Sequence, residues 1–193
     1  MAPEAADAGP AARETRARLR AAPDDPDGPL LRLALHEKGF AVALEPGPAG
    51  QPPRLRLGPV GGEGTARILD VLEAHRPEPP LWPGATARRL AARLEEEVRL
   101  PARAGAPPAV LGAALDAIEA EAPLAPFLAG GCPSAADLYW LCALREYDAA
   151  CARAAAAGRP VPSRPGPIAV RALREALEAR PSARRIDPPR NAP

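Results

Sequence analysis

Apolar residues alternate with arginine over residues 15–22, where Ala17, Leu19 and Ala21 take one side and Arg16, Arg18 and Arg20 the other. A period of two predicts a half-buried strand there. The turn-rich run Pro23-Asp24-Asp25-Pro26-Asp27-Gly28-Pro29 follows, with Asp27 placed to cap a helix and Pro29 suited to its first turn. Leu30, Leu31, Ala34 and Leu35 then form a helical stripe, which Lys38 and Gly39 close with a cation and a left-handed-capable residue. Residues 40–44 predict a second strand, residues 45–52 a Gly/Pro loop, and residues 54–57 a third strand with Leu55 and Leu57 on one side. Residues 60–62 are too rich in glycine to assign.

From Thr65 the period becomes helical, with Ala66, Ile68, Leu69 and Leu72 on the apolar side up to Arg76-Pro77. Residues 77–83 (PEPPLWP) read as a stiff linker, because consecutive prolines favour extended polyproline. All later elements are helical. Residues 86–100 carry Leu90, Leu94 and Val98, with Pro101 as the expected stop. Residues 110–120 carry Leu111, Leu115 and Ile118, with Pro123 as the stop. Ser134 and Asp137 hold the spacing of a capping box and open a helix to about residue 157. Its first turns (LYWLCAL) are apolar all round, which predicts a central, buried position. Residues 168–179 predict a last amphipathic helix on Val170, Leu173 and Leu177.

Composition narrows the picture. Lys+Arg 25 against Asp+Glu 24 gives a net charge of +1, which argues against nucleic-acid binding through bulk charge. Hydrophobic residues at 47% over 193 positions support a real core, and the few β-branched residues argue against an all-β fold. No apolar stretch has the length of a spanning helix, so no membrane is expected as a partner. The acidic, proline-containing first residues lack the apolar run of an export signal. Cys132, Cys142 and Cys151 are an odd set without metal or disulfide spacing. On one helix Cys142 and Cys151 lie about 13.5 Å apart along the axis and cannot bridge. They read as small hydrophobes of a reducing cytoplasm. The two histidines, His36 and His75, read as a surface residue and a helix-end cation. No His/Cys/Asp cluster has metal-ligand spacing. Arg88, Arg89 and Arg93 read as a solvated or dimer-contacting helix face.

The order of these elements resembles the cytosolic glutathione S-transferase superfamily. Residues 31–39 (LRLALHEKG) are similar to the first helix of those proteins, and residues 68–83 (ILDVLEAHRPEPPLWP) to their third helix and interdomain linker. Residues 127–141 (FLAGGCPSAADLYWL) resemble the segment that opens their buried sixth helix, and residues 167–185 their C-terminal helix. The resemblance implies an α/β thioredoxin-like N-terminal half plus an all-α C-terminal half, mainly helical overall. The implied division is a flexible arm at 1–14, a truncated thioredoxin-like domain at 15–76, the proline linker at 77–83, a helical domain at 84–185 and a tail at 186–193. Residues 44–53 are too short for the family's second helix, which normally adds glutathione contacts.

The resemblance also implies a soluble cytoplasmic homodimer that takes glutathione as co-substrate, uses no metal, and binds a small apolar molecule in the interdomain cleft. Laying the helix register back from Leu31 puts Asp25, followed by Pro26, at the family's sulfur-activating Ser or Cys position. A hydroxyl donates to a thiolate and lowers its pKa, whereas a neighbouring carboxylate raises it. The family's Glu-Ser pair at the third helix falls on Gly64-Thr65, with Glu63 one residue away. Thr65 keeps a hydroxyl at an anion-favouring helix N-terminus. Pro53 is the candidate for the family's cis-proline before the third strand. Tyr139 and Trp140 are candidates for the wall of the apolar pocket, with core packing as the alternative. Two other readings follow from the altered site: a non-catalytic binding or scaffold protein on this fold, and a specialised pathway enzyme with a non-glutathione substrate.

Overall fold

The computed structural model describes residues 16–122, 127–162 and 175–180. The predicted arm and tail, Pro123 and most of the predicted last helix lie outside them; residues 175–178 are helical. The first half is β1 (Ala17–Ala21), α1 (Gly28–Glu37), β2 (Val42–Pro46), β3 (Arg54–Leu57), β4 (Val60–Glu63) and α2 (Thr65–His75). Its strands form one sheet in the order β2-β1-β3-β4, with β1 parallel to β2 and the other pairs antiparallel. Alternation sorts the faces of β1 and β3 as the sequence predicts. Ala17, Leu19, Leu55 and Leu57 are buried, while Arg18, Arg20, Arg54 and Arg56 are exposed.

The buried face packs with Leu30, Leu31, Ala34 and Leu35 of α1 and Ile68, Leu69 and Leu72 of α2 in one core. The unassigned glycine-rich stretch is β4: it pairs with β3 from Leu57↔Val60 to Arg54↔Glu63. A Cβ on Gly61 would stand 2.6 Å from the carbonyl oxygen of Leu55, so close strand pairing there excludes a side chain. Between β2 and β3, residues 47–53 contain no helix, as the short spacing predicts.

Gly39 ends α1 at φ 69°, and its N–H donates to the His36 carbonyl at 2.9 Å. A Cβ there would lie 3.2 Å from Nη1 of Arg76, which donates to the carbonyls of Lys38 and Gly39. Gly39→Ala is therefore expected to destabilise the protein by about 1 kcal/mol, read as a lower urea midpoint at unchanged m-value.

The second half holds α3 (Ala85–Arg93), a π-helical turn (Leu94–Arg99), α4 (Leu100–Arg103), α5 (Pro108–Glu121) and α6 (Ala135–Ala156). Pro101 does not stop the helix, contrary to expectation. The helix widens into the π turn immediately before it and runs on to Arg103. A wide turn relieves the clash between a proline ring and the preceding carbonyls. The capping box opens α6: Asp137 Oδ2 accepts the Ser134 N–H and hydroxyl at 2.8 Å each, and its Oδ1 accepts the Leu128 N–H at 2.8 Å. The helix is central, and Trp140 within it has no exposed surface. No described helix is long and apolar enough to cross a membrane.

Candidate functional site

Two cavities open at the entry to α1, one within the first half and one between α1 and the helical half. One, about 460 Å³, is lined by Asp24, Asp25, Asp27, Pro53, Gly64 and Thr65, together with Pro26. The other, about 450 Å³, is lined by Pro29, Ala102, Arg103, Cys142 and Glu146, and again by Pro26. Pro26 is a wall of both, so the cavities adjoin at the entry to α1.

Asp27 stands at the N-cap position of α1 but makes no capping bond with its side chain. It faces the helical half instead. Its Oδ1 accepts from Arg99 Nη2 at 2.9 Å and from Arg103 Nη2 at 2.8 Å, and its Oδ2 accepts the Thr65 hydroxyl at 2.5 Å. Arg99, fully buried, also donates to Glu95 at 2.8 Å, to Glu146 at 3.2 Å and to the Pro26 carbonyl at 3.1 Å. Arg103 reaches the same Glu95 and Glu146. Two guanidiniums and three carboxylates thus join the two halves beneath the cavities. The π turn sets Arg99 into this cluster, with its guanidinium 5.4 Å from the Tyr139 ring centroid.

Burial pushes the Asp27 carboxyl up, but the Thr65 hydrogen bond and the charges of Arg99 and Arg103 outweigh it and hold the group below the ordinary carboxylate range. Burial dominates at Glu146 and raises it despite both arginines. Burial also raises the Tyr139 phenol and pushes the Cys142 thiol up to about 11. Cys142 therefore stays protonated at neutral pH and is a poor nucleophile.

The predicted site residues divide. Asp25, Pro53, Gly64 and Thr65 do come together on one cavity. Asp25 Oδ1 accepts the Asp27 N–H at 2.8 Å, closing the turn into α1. Gly64, rather than Thr65, is the N-cap of α2, and the Thr65 hydroxyl is engaged by Asp27. Pro53 is not a cis-proline. Among the described residues the cis bond is Glu78–Pro79 in the linker, and the Pro53 carbonyl accepts the Gly64 N–H at 2.8 Å. Glu63 lies away from this cavity, because strand parity puts it on the open sheet face, paired with Arg54 at 2.9 Å. Tyr139, only 8% exposed, and fully buried Trp140 are core residues and line neither cavity. Packing claims them because α6 is surrounded on all sides. No grouping of His, Cys, Asp or Glu among the described residues could hold a metal ion. Arg88 and Arg93 carry intramolecular partners, Asp70 for the first and Glu97 and Glu121 for the second.

Sequence reasoning missed Arg99, Arg103, Glu95 and Glu146. Their one local signal is the i, i+4 spacing of Glu95 with Arg99 and of Arg99 with Arg103.

The architecture is the two-domain fold of the glutathione S-transferases. An omega 3C glutathione transferase of Trametes versicolor superposes with TM-score 0.69 at 18% identity, over 91% of this chain and 90% of the other. A maleylacetoacetate isomerase of Anaeromyxobacter dehalogenans, solved with bound glutathione, gives 0.67 at 20% identity, over 91% and 96%. A glutathione S-transferase domain-containing protein of Marinobacter aquaeolei gives 0.67 at 18%, over 86% and 99%. No protein-family model and no curated protein matches the chain by sequence.

Proposed function

We propose that the protein is a glutathione transferase-like protein. Glutathione, or a similar zwitterionic thiol peptide, sits in the cavity of Pro53 and Thr65, with a small apolar electrophile in the cavity beyond Pro26. The observation that carries this reading is the pair of cavities that adjoin at Pro26, one within the first half and one between α1 and the helical half. The zwitterion matches the first cavity chemically. The first-turn N–H groups of α2 have no intrahelical acceptor and favour a carboxylate, while Asp24 and Asp25 favour an ammonium. Thiol addition would form one C–S bond and pass the thiol proton to the acceptor; a lyase or isomerase step is a variant of the same chemistry. The three free cysteines accord with a cytoplasmic location, and a homodimer and a small-molecule substrate belong to the same reading.

A specific observation favours a second reading, binding without chemistry. The hydroxyl lining the first cavity, that of Thr65, already donates its hydrogen bond to Asp27, and Asp25 presents a carboxylate where a sulfur-activating donor is needed. Calorimetric titration with glutathione beside a thiol-conjugation assay separates the readings. Heat with turnover supports the transferase, heat alone supports the binding protein, and millimolar glutathione giving neither overturns both in their glutathione form. In the transferase case Asp25→Ser is expected to raise turnover about tenfold, the factor carried by one unit of thiol pKa.

A further inference from the structure

The sheet face turned away from α1 and α2 carries the least explained chemistry in the molecule. Strand register lays its side chains out in two rows. One runs Glu45–Arg20–Arg54–Glu63 across β2, β1, β3 and β4; the other runs Ala43–Arg18–Arg56–Gly61. Arginine therefore stands directly opposite arginine twice on the antiparallel β1–β3 pair. Side chains so placed start about 5 Å apart, and like charges there oppose sheet formation.

The flanking residues do not neutralise the block. The first row has a glutamate at each end, but Glu45 pairs diagonally with Arg18 at 3.7 Å, and Glu63 pairs with Arg54 at 2.9 Å. Arg20 and Arg56 are left with no partner among the described residues. The ends of the second row are Ala43 and Gly61, and Gly61 has no room for a side chain. The four arginines surround a depression of about 530 Å³, within the range of small-ligand sites.

We propose that this face binds the phosphate chain of a small organic polyphosphate, with Arg20 and Arg56 as its principal contacts. Guanidinium presents paired N–H donors that match phosphate oxygens, and the diagonal of the block roots two such side chains about 7–8 Å apart on the sheet. A phosphate chain lying between them replaces arginine–arginine repulsion with charge-assisted hydrogen bonds. The depression has the volume of a small-molecule site rather than the length of a polyanion track. The site lies on another surface from the two cavities at the entry to α1 and does not rest on the function proposed for them.

The test uses the full chain, inorganic tripolyphosphate and ATP at low salt, followed by calorimetry and thermal unfolding. Both probes are expected to bind, to raise Tm, and to weaken linearly in log–log terms with added salt. Arg20→Gln/Arg56→Gln is expected to lose affinity about tenfold or more while keeping or raising the ligand-free Tm, because it removes both charge-assisted contacts and like-charge repulsion. Ala43→Glu supplies a counter-ion beside Arg18 and should weaken binding in a chain that keeps all four arginines. The proposal is overturned by no binding at millimolar probe, by unchanged affinity in both variants, or by an oligo-aspartate peptide that binds as tightly as tripolyphosphate. The last outcome would mark an acidic protein partner.

Discussion

Arg99→Met should be among the most damaging single substitutions in the chain, lowering stability by about 3–5 kcal/mol in urea at neutral pH. Methionine keeps most of the volume, so packing is not the cause. Arg99 has no exposed surface, and its guanidinium faces Asp27, Glu95 and Glu146 at once. Without it, Arg103 alone faces three carboxylates that are each about three-quarters or more buried. Arg103→Met is expected to cost less, because Arg103 is partly exposed and the buried cation remains.

The pH dependence of that loss has a definite sign. In the native protein Asp27 is held below its ordinary value, so its contribution is present above the unfolded carboxylate pKa and fades as pH falls through the depressed folded one. Glu146 is raised, so its burial costs stability above its folded pKa and that cost vanishes as acid protonates it. Removing Arg99 takes a favourable charge from both, and both must rise. The deficit of Arg99→Met should therefore be largest near pH 7.5 and shrink towards pH 5, where the orphaned carboxylates take up protons. Urea midpoints of both proteins across this range test it; a deficit independent of pH would mean that packing rather than charge sets the loss.

The elements were legible because they are local. The arginine–leucine alternation of β1 gives its two faces directly, and the capping box marks the start of α6. What escaped is made by partners far apart in sequence. Asp27 reads locally as a helix cap, and Thr65 as a capping hydroxyl. Only folding shows that the two bond each other and that Arg99 completes the set. The abundance of arginine hides its buried members, since the i, i+4 spacing of Arg99 with Glu95 is shared by the partly exposed Arg93 with Glu97. Pro101 misled for a related reason: a π turn can carry a helix through proline, and its benefit here is the placement of a buried arginine. At the candidate site, Asp25, Gly64 and Thr65 were named from the register of two helix starts and line the first cavity. Glu63 was named with them but faces away, because strand parity decides its face.

Lys38 offers a second large effect, with a chemical readout of its own. It is the chain's single lysine, and its side chain is fully buried. Its ammonium donates to Glu73 Oε2, the Arg76 carbonyl and the Pro79 carbonyl at 2.5 Å each. Glu73 in turn accepts the N–H groups of Leu81 at 2.8 Å and Trp82 at 3.3 Å. The residue read as a helix-end cation therefore organises the proline linker, which has few backbone N–H groups with which to hold itself. Lys38→Met should cost about 3–5 kcal/mol, since it leaves a carboxylate and several carbonyls without their buried donor. Lys38→Arg should not rescue it, because a planar fork does not reproduce donors radiating from one nitrogen. In the native chain an amine-reactive reagent should modify Lys38 only when the linker opens. Peptide mass mapping over time then gives the opening equilibrium, and sub-denaturing urea should speed Lys38 labelling steeply. Labelling of Lys38 at the rate of a free lysine would show that the linker is not held by this bond set.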